Sequence, residues 1–271
     1  MRLTSLAGLA LAILLGAFPV RAAPPAGAGL VWSENFDAPG QTAPDPAVWS
    51  HDIGTGDWGW GNGEAQYYTD TPHNVFVADG MLHIRGVVND GDRPDHPGPT
   101  SARLVTRAGV LPRYGAFEIR ALLPCGHGAW PAIWMLGQDG PWPLRGEIDI
   151  AEWSGAYFSR DEIQHALHTQ AFHGGQGKVA RFPLKSACGA FHVFRLGWTA
   201  TELRLAVDGD LADPRMVYVK PRNADARNWP YDQPAQLLLN VAIGGTLGGT
   251  PDPGAKSFEM LVDYIRIYST P

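Results

Sequence analysis

The chain has 271 residues, with 21 Lys and Arg against 27 Asp and Glu and a formal net charge of −6. That balance speaks against a nucleic-acid partner, which needs clustered cations to neutralise phosphates. Apolar residues make up 45% of the chain, enough for a sizeable core, and 33 glycines and 23 prolines supply many turns.

Arg2 precedes an apolar run over 6–17 and then Val20-Arg21-Ala22, a small-residue cleavage pattern. This reads as a secretory signal peptide over 1–22. Its removal leaves a mature chain of 23–271 that is two charges more negative. The run is too short for a bilayer core of about 30 Å, and no later segment approaches the ~20 apolar residues a spanning helix needs. No membrane partner is expected.

Short apolar or alternating runs then recur at 30–36, 74–88, 115–123, 132–137, 147–153, 191–198, 202–207, 236–243 and 261–268. This is all-β spacing. Asp79-Gly80 and Asp208-Gly209 sit between alternating residues as tight hairpin turns do. The stretch 90–100, rich in Gly, Pro and Asp, and the longer stretch 213–234, with several prolines, read as exposed loops. No repeat and no linker divides the chain, so the expectation is one all-β domain of two packed sheets, a jelly roll or similar sandwich. Cys125 and Cys188, in an exported chain, form either one disulfide or two buried thiols.

The segment Gly146-Glu147-Ile148-Asp149-Ile150-Ala151-Glu152-Trp153 carries the chemistry. Side chains alternate along a strand, so Glu147 and Asp149 share one face and Ile148 and Ile150 the other. Strict alternation would bury Glu152 among the isoleucines, which is costly for a carboxylate. A β-bulge at Ala151 returns Glu152 to the face of Glu147 and sends Trp153 inward. Two glutamates drawn to about 5 to 5.5 Å form a retaining glycosidase pair, with Glu147 the nucleophile and Glu152 the acid and then the base. Crowding of three carboxyls raises one pKa, which is expected on the proton donor; Asp149 between them hydrogen-bonds the nucleophile.

At these residues the chain resembles glycoside hydrolase family 16, the laminarinase-like branch, whose signature is Glu-x-Asp-x-x-Glu with a bulge. The likeness extends through Trp60-Gly61-Asn62, Tyr67-Tyr68-Thr69, Tyr114-Gly115, Leu167-His168, Gly244-Gly245 and Asp263-Tyr264-Ile265-Arg266-Ile267-Tyr268. It implies a jelly roll with an open cleft and retaining endo-cleavage of β-1,3- or mixed-linked β-1,3/1,4-glucan. Other β-glycans of galactan, agar or carrageenan type, transglycosylation, and a non-catalytic glucan-recognition protein are the alternatives. One departure is clear: relatives follow the glycine pair with Trp and Pro, whereas this chain has Thr246-Leu247-Gly248.

Glycan clefts are floored by aromatics, which offer a broad apolar face to sugar C–H groups. Trp130 and Trp134 are four apart on a strand and share a face, and the resemblance places them beside the acids. Trp58 and Trp60 lie in a Gly-rich loop suited to a cleft rim. His165 and His168 point to opposite faces of a strand, so with His173 they make a poor zinc site. The resemblance gives His168 a cleft position near the acid and Asn74 a sugar contact. By alternation Asp263 falls on a buried face with Leu261, Ile265 and Ile267. There the resemblance implies a structural calcium with Glu34 and the Gly80 carbonyl as further ligands; the competing reading is an aspartate paired with an arginine. Catalysis itself needs no cofactor, and the chain is expected to act as a monomer on a polysaccharide.

Overall fold

The computed structural model describes residues 28–90 and 98–269; the expected leader over 1–22 and much of the loop expected over 90–100 lie outside them. In chain order the strands are β1 (Leu30–Glu34), β2 (Trp49–His51), β3 (Tyr67–Tyr68), β4 (Val75–Ala78), β5 (Met81–Asp90), β6 (Gly98–Ser101), β7 (Arg103–Thr106), β8 (Gly115–Leu122) and β9 (Ala129–Gly137). They continue as β10 (Glu147–Glu152), β11 (Glu162–His168), β12 (Lys178–Pro183), β13 (Phe191–Trp198), β14 (Glu202–Val207), β15 (Met216–Val219), β16 (Ala235–Ile243) and β17 (Ser257–Tyr268). Helical structure among the described residues is confined to short turns at Gly59–Gly63, Gly174–Gln176 and α1 (Gly245–Gly248).

The strands form two sheets. One runs β15-β14-β13-β8-β17-β5-β6-β3, with β1 also on β17 and β4 also on β5; the other runs β12-β11-β10-β9-β16-β7-β2. Strand alternation decides which residues lie between them. On β16, Leu237, Leu239, Val241 and Ile243 enter the shared core, as do Ile133 and Met135 of β9 and Ile148 and Ile150 of β10. The opposite face of this seven-stranded sheet carries Asn240, Trp134 and Asp149 and is open to ligand.

Cys125 and Cys188 form a disulfide with Cα atoms 5.3 Å apart. It joins the end of β8 to the start of β13, strands that pair with each other. The excursion between them is β9 to β12, so the bond closes a loop around the acid-bearing strand. With 63 residues separating the cysteines, loop-closure entropy gives about 4 kcal/mol of stabilisation. Replacing both cysteines by serine is expected to lower the melting temperature by about 10 °C. Calorimetry showing a drop under about 3 °C would contradict this.

The structure refines several expected boundaries. Asp79 and Gly80, with φ of 52° and 70°, form the β4–β5 hairpin turn as expected. Asp208 also has positive φ, 57°, but no tight hairpin follows. Its carboxylate instead accepts the Val193 N–H at 2.8 Å and meets His192 Nδ1 at 2.6 Å, and the chain returns to pair with β14 only at β15. β15 lies within the stretch 213–234 expected to be loop, and β6 begins within 90–100. Both are short strands without an apolar alternation long enough to read.

Asp263 is a correction. β17 shifts register between Val262 and Tyr264, and this bulge reverses the alternation. Met260 and Val262 enter the core before it and Ile265 and Ile267 after it, leaving Asp263 part-exposed. It ion-pairs with Arg120. At the same place β17 exchanges β5 for β1 as neighbour, since Val262 pairs with Leu82 and Ile265 with Glu34.

Candidate active site

β10 is bulged where the cost of burying Glu152 requires it. Against β9, Asp149 pairs with Trp134, Ala151 with Ile133 and Glu152 with Ala132; against β11, Asp149 pairs with Ala166 and Glu152 with Gln164. Ile150 has no register partner on either side, and Ile150 and Ala151 are both fully buried. Glu147, Asp149 and Glu152 therefore share the open face, while Trp153 turns into the core.

Register extends this face sideways. One row crosses six strands as Arg103, Asn240, Ala132, Glu152, Gln164 and Arg181. The adjacent row carries Val105, Leu238, Trp134, Asp149, Ala166 and Val179 in the same order. Strands lie about 4.8 Å apart, so each row is about 24 Å long. That length suits a chain of several sugars laid across the strands.

The acids are held individually. Glu152 accepts N–H bonds from Trp130 Nε1 at 3.1 Å and Gln164 Nε2 at 3.0 Å. Glu147 accepts from Trp142 Nε1 at 2.7 Å. His168 Nε2 stands 3.3 Å from Asp149 and 3.9 Å from Glu147, and ligand atoms of these three residues lie within 4.8 Å of one another. Burial, then the charge of Asp149, pushes the Glu147 carboxyl up to about 8, against the pull of His168 and the Trp142 N–H. Burial and the charge of Glu152 raise Asp149 well above the carboxylate range. The raised carboxyls are thus Glu147 and Asp149.

Trp134 is fixed by a relay. Its Nε1–H donates to Asn240 at 2.8 Å, the Asn240 amide donates to the Tyr68 hydroxyl at 3.1 Å, and that hydroxyl donates to Glu64 at 3.1 Å. The Arg103 guanidinium lies 4.4 Å from the Trp60 ring centre and 4.8 Å from that of Trp134, and ion-pairs with Asp52 at 3.0 Å. Trp58, 76% exposed, projects from the turn that precedes Trp60.

Comparison with known proteins settles the family. The model for glycosyl hydrolases family 16 matches residues 64–266. The chain belongs to this family. It is 41% identical over 251 residues to a β-glucanase of Rhodothermus marinus, covering 88% of this chain and 84% of that protein. The laminarinase catalytic domain of Thermotoga maritima superposes with a TM-score of 0.80 at 36% identity, covering 90% of this chain and 99% of the other. SCLam, a non-specific endo-β-1,3(4)-glucanase, gives a TM-score of 0.82 at 36% identity, covering 92% and 94%. The chain is therefore a glycoside hydrolase with the family 16 jelly roll.

Within this family 16 fold most of the expected site residues meet on the open face: Glu147, Asp149, Glu152, Trp130, Trp134 and His168, with Trp60 packed on Arg103. Asn74 does not. It is fully buried and bonds Thr69, the Arg85 carbonyl and Thr100, so it fastens the β4–β5 hairpin and is closed to sugar. His165 turns to the core side, opposite His168, as alternation requires. At the departure over 246–248, α1 packs its carbonyls on the turn after β10: Leu247 O accepts from Ser154 Oγ at 2.6 Å and Ala156 N at 3.0 Å.

Trp142, Gln164, Arg103 and Glu64 were not expected from sequence. Only Trp142 left a signal, a Trp-Pro pair in the loop just ahead of the acid strand. Trp142→Phe removes the N–H that favours ionised Glu147, so the acid limb of the kcat/KM profile should move to higher pH, with about tenfold lower activity at pH 6. A pH profile with an unmoved limb would refute that role.

Proposed function

We propose that this protein is an exported endo-glucanase that hydrolyses β-1,3- and mixed-linked β-1,3/1,4-glucan with retention. The observation that carries the reading is the bulge in β10, which gathers Glu147, Asp149 and Glu152 beneath a groove of about 24 Å floored by Trp130 and Trp134. Such a groove accepts the middle of a polymer. The relatives' named substrates supply the glucan assignment. Arg103 and Arg181, the cations of the groove row, are already ion-paired to Asp52 and Glu162, which argues against a sulfated galactan.

In the first step Glu152 donates its proton to the glycosidic oxygen as Glu147 attacks the anomeric carbon, giving a glycosyl ester and a free sugar end. Glu152, left without the proton it gave to the departing sugar, then takes one from the water that displaces the ester. Asp149, between the two acids on the same face, hydrogen-bonds Glu147 and keeps it aligned. His168 lies against both. Export is supported by the leader pattern over 1–22 and by the Cys125–Cys188 disulfide, which persists in oxidising compartments.

A structural calcium would sit where β17 exchanges β5 for β1. There Glu34 and the Gly80 carbonyl offer oxygen, and Asp263 shares its carboxylate with Arg120. Such an ion would tie β1 to the β4–β5 hairpin and takes no part in catalysis.

The test is incubation with laminarin and lichenan, following reducing ends, with proton NMR of the fresh product. The β-anomer appearing first supports the reading. Release of the α-anomer first, or no cleavage of either glucan, would overturn it.

A further inference from the structure

Behind the acid strand lies a titratable group with no part in the chemistry above. His165 is fully buried on the core side of β11, between Gln164, which bonds Glu152, and Ala166, which pairs with Asp149. It has no register partner on β10, because it stands opposite the bulge. Its side chain fills that gap: His165 Nδ1 lies 2.7 Å from the Ile150 carbonyl oxygen. A carbonyl only accepts, so Nδ1 carries the proton. Nε2 then presents a lone pair to the buried side, where it finds no hydrogen-bond partner among the described residues, with the Phe182 ring 5.1 Å away. A leucine would fill this space without leaving a polar atom stranded.

We propose that His165 is a positioning residue for Glu152, its ring N–H holding the carbonyl of the bulge and so fixing the side of the sheet from which the acid works. The reasoning rests on the assignment of Glu152 as acid and base. Ile150 is the residue at which the alternation of β10 reverses, and its carbonyl direction distinguishes the bulged from the regular strand. In the regular strand Glu152 points inward and Trp153 outward. The bond from His165 can form only with the bulge present, which ties an otherwise soft backbone to one geometry. Burial lowers the ring to about 4, so His165 stays neutral and this hydrogen-bond arrangement persists across the working pH range.

The experiment compares His165→Phe, which keeps ring volume without the donor, His165→Asn, whose amide N–H falls near the Nδ1 position, and Glu152→Ala. Each is assayed on laminarin and on a dinitrophenyl β-glucoside oligomer whose leaving group needs no proton. His165→Phe is expected to lose about 100-fold on laminarin and under about fivefold on the dinitrophenyl substrate, the pattern of a misplaced acid. His165→Asn is expected to keep the wild-type ratio between the two substrates. Parallel losses on both substrates, or none, in His165→Phe would overturn the proposal. Should that variant not fold, His165→Asn decides: a wild-type ratio supports the role, and the ratio of Glu152→Ala refutes it. Glu152→Ala separates the two readings. If it shows no leaving-group dependence the acid assignment itself fails; if it does and His165→Phe does not, only the role of His165 fails.

Discussion

Glu147→Ala should reduce glucan hydrolysis by about 10⁴-fold or more while leaving the fold intact, because removing a covalent nucleophile removes the reaction path and not merely a contact. Added azide should restore turnover of a dinitrophenyl substrate by entering the vacated space beneath the anomeric carbon, and the product should be the α-glycosyl azide. NMR of that product checks the role; a β-azide, or hydrolysis undiminished in the variant, would remove Glu147 from the mechanism. A second consequence concerns stability. The folded-state carboxyl is raised to about 8 from an ordinary 4.5, so between those values the folded protein holds a proton that the unfolded chain releases. Stability contributed by the protonated group is complete below pH 4.5 and is lost as pH rises to about 8. Glu147→Gln cannot ionise, and its melting temperature should exceed that of wild type by several degrees at pH 8 and match it at pH 4. Burial that makes this carboxylate reactive also makes it costly.

The acid strand was legible because its sequence sets two rules against each other. Alternation places Glu152 in the core, the price of burying a carboxylate forbids it, and a bulge is the local remedy; the structure shows the shift at Ile150–Ala151. Trp130 and Trp134 were legible from the same period of two. Arg103, Gln164 and Glu64 were not, since they reach the site only through the pairing of β7 with β16, of β11 with β10, and the relay from Trp134. No pattern local to any of them records a register set by strands distant in the chain. Asp263 and Asn74 show the converse. A bulge at Val262–Tyr264 reverses the alternation on which burial of Asp263 was inferred, and Asn74, next to a turn, spends its amide on Thr69, Arg85 and Thr100. Whether a polar side chain turns inward to bond the fold or outward to bond a sugar depends on neighbours that are not adjacent in sequence.

Glu152→Ala should lower laminarin hydrolysis by about 10³-fold, within the range that general acid catalysis supplies, yet spare the dinitrophenyl substrate in the first step. Departure of a stable phenolate needs no proton, so Glu147 still attacks and the glycosyl ester accumulates. Its breakdown still needs a base, so steady-state turnover becomes limited by the second step and a burst of phenolate precedes it. Azide, a nucleophile that needs no deprotonation, should relieve that limit and yield the β-glycosyl azide, opposite in configuration to the product expected from Glu147→Ala. The two outcomes rest on the same geometry: one carboxyl below the anomeric carbon, the other beside the leaving oxygen and held there by Trp130 and Gln164. Rapid-mixing kinetics and product NMR check the pair. A Glu152→Ala enzyme with equal losses on both substrates and no burst would show that the bulge brings a third carboxylate to the groove without making it the acid.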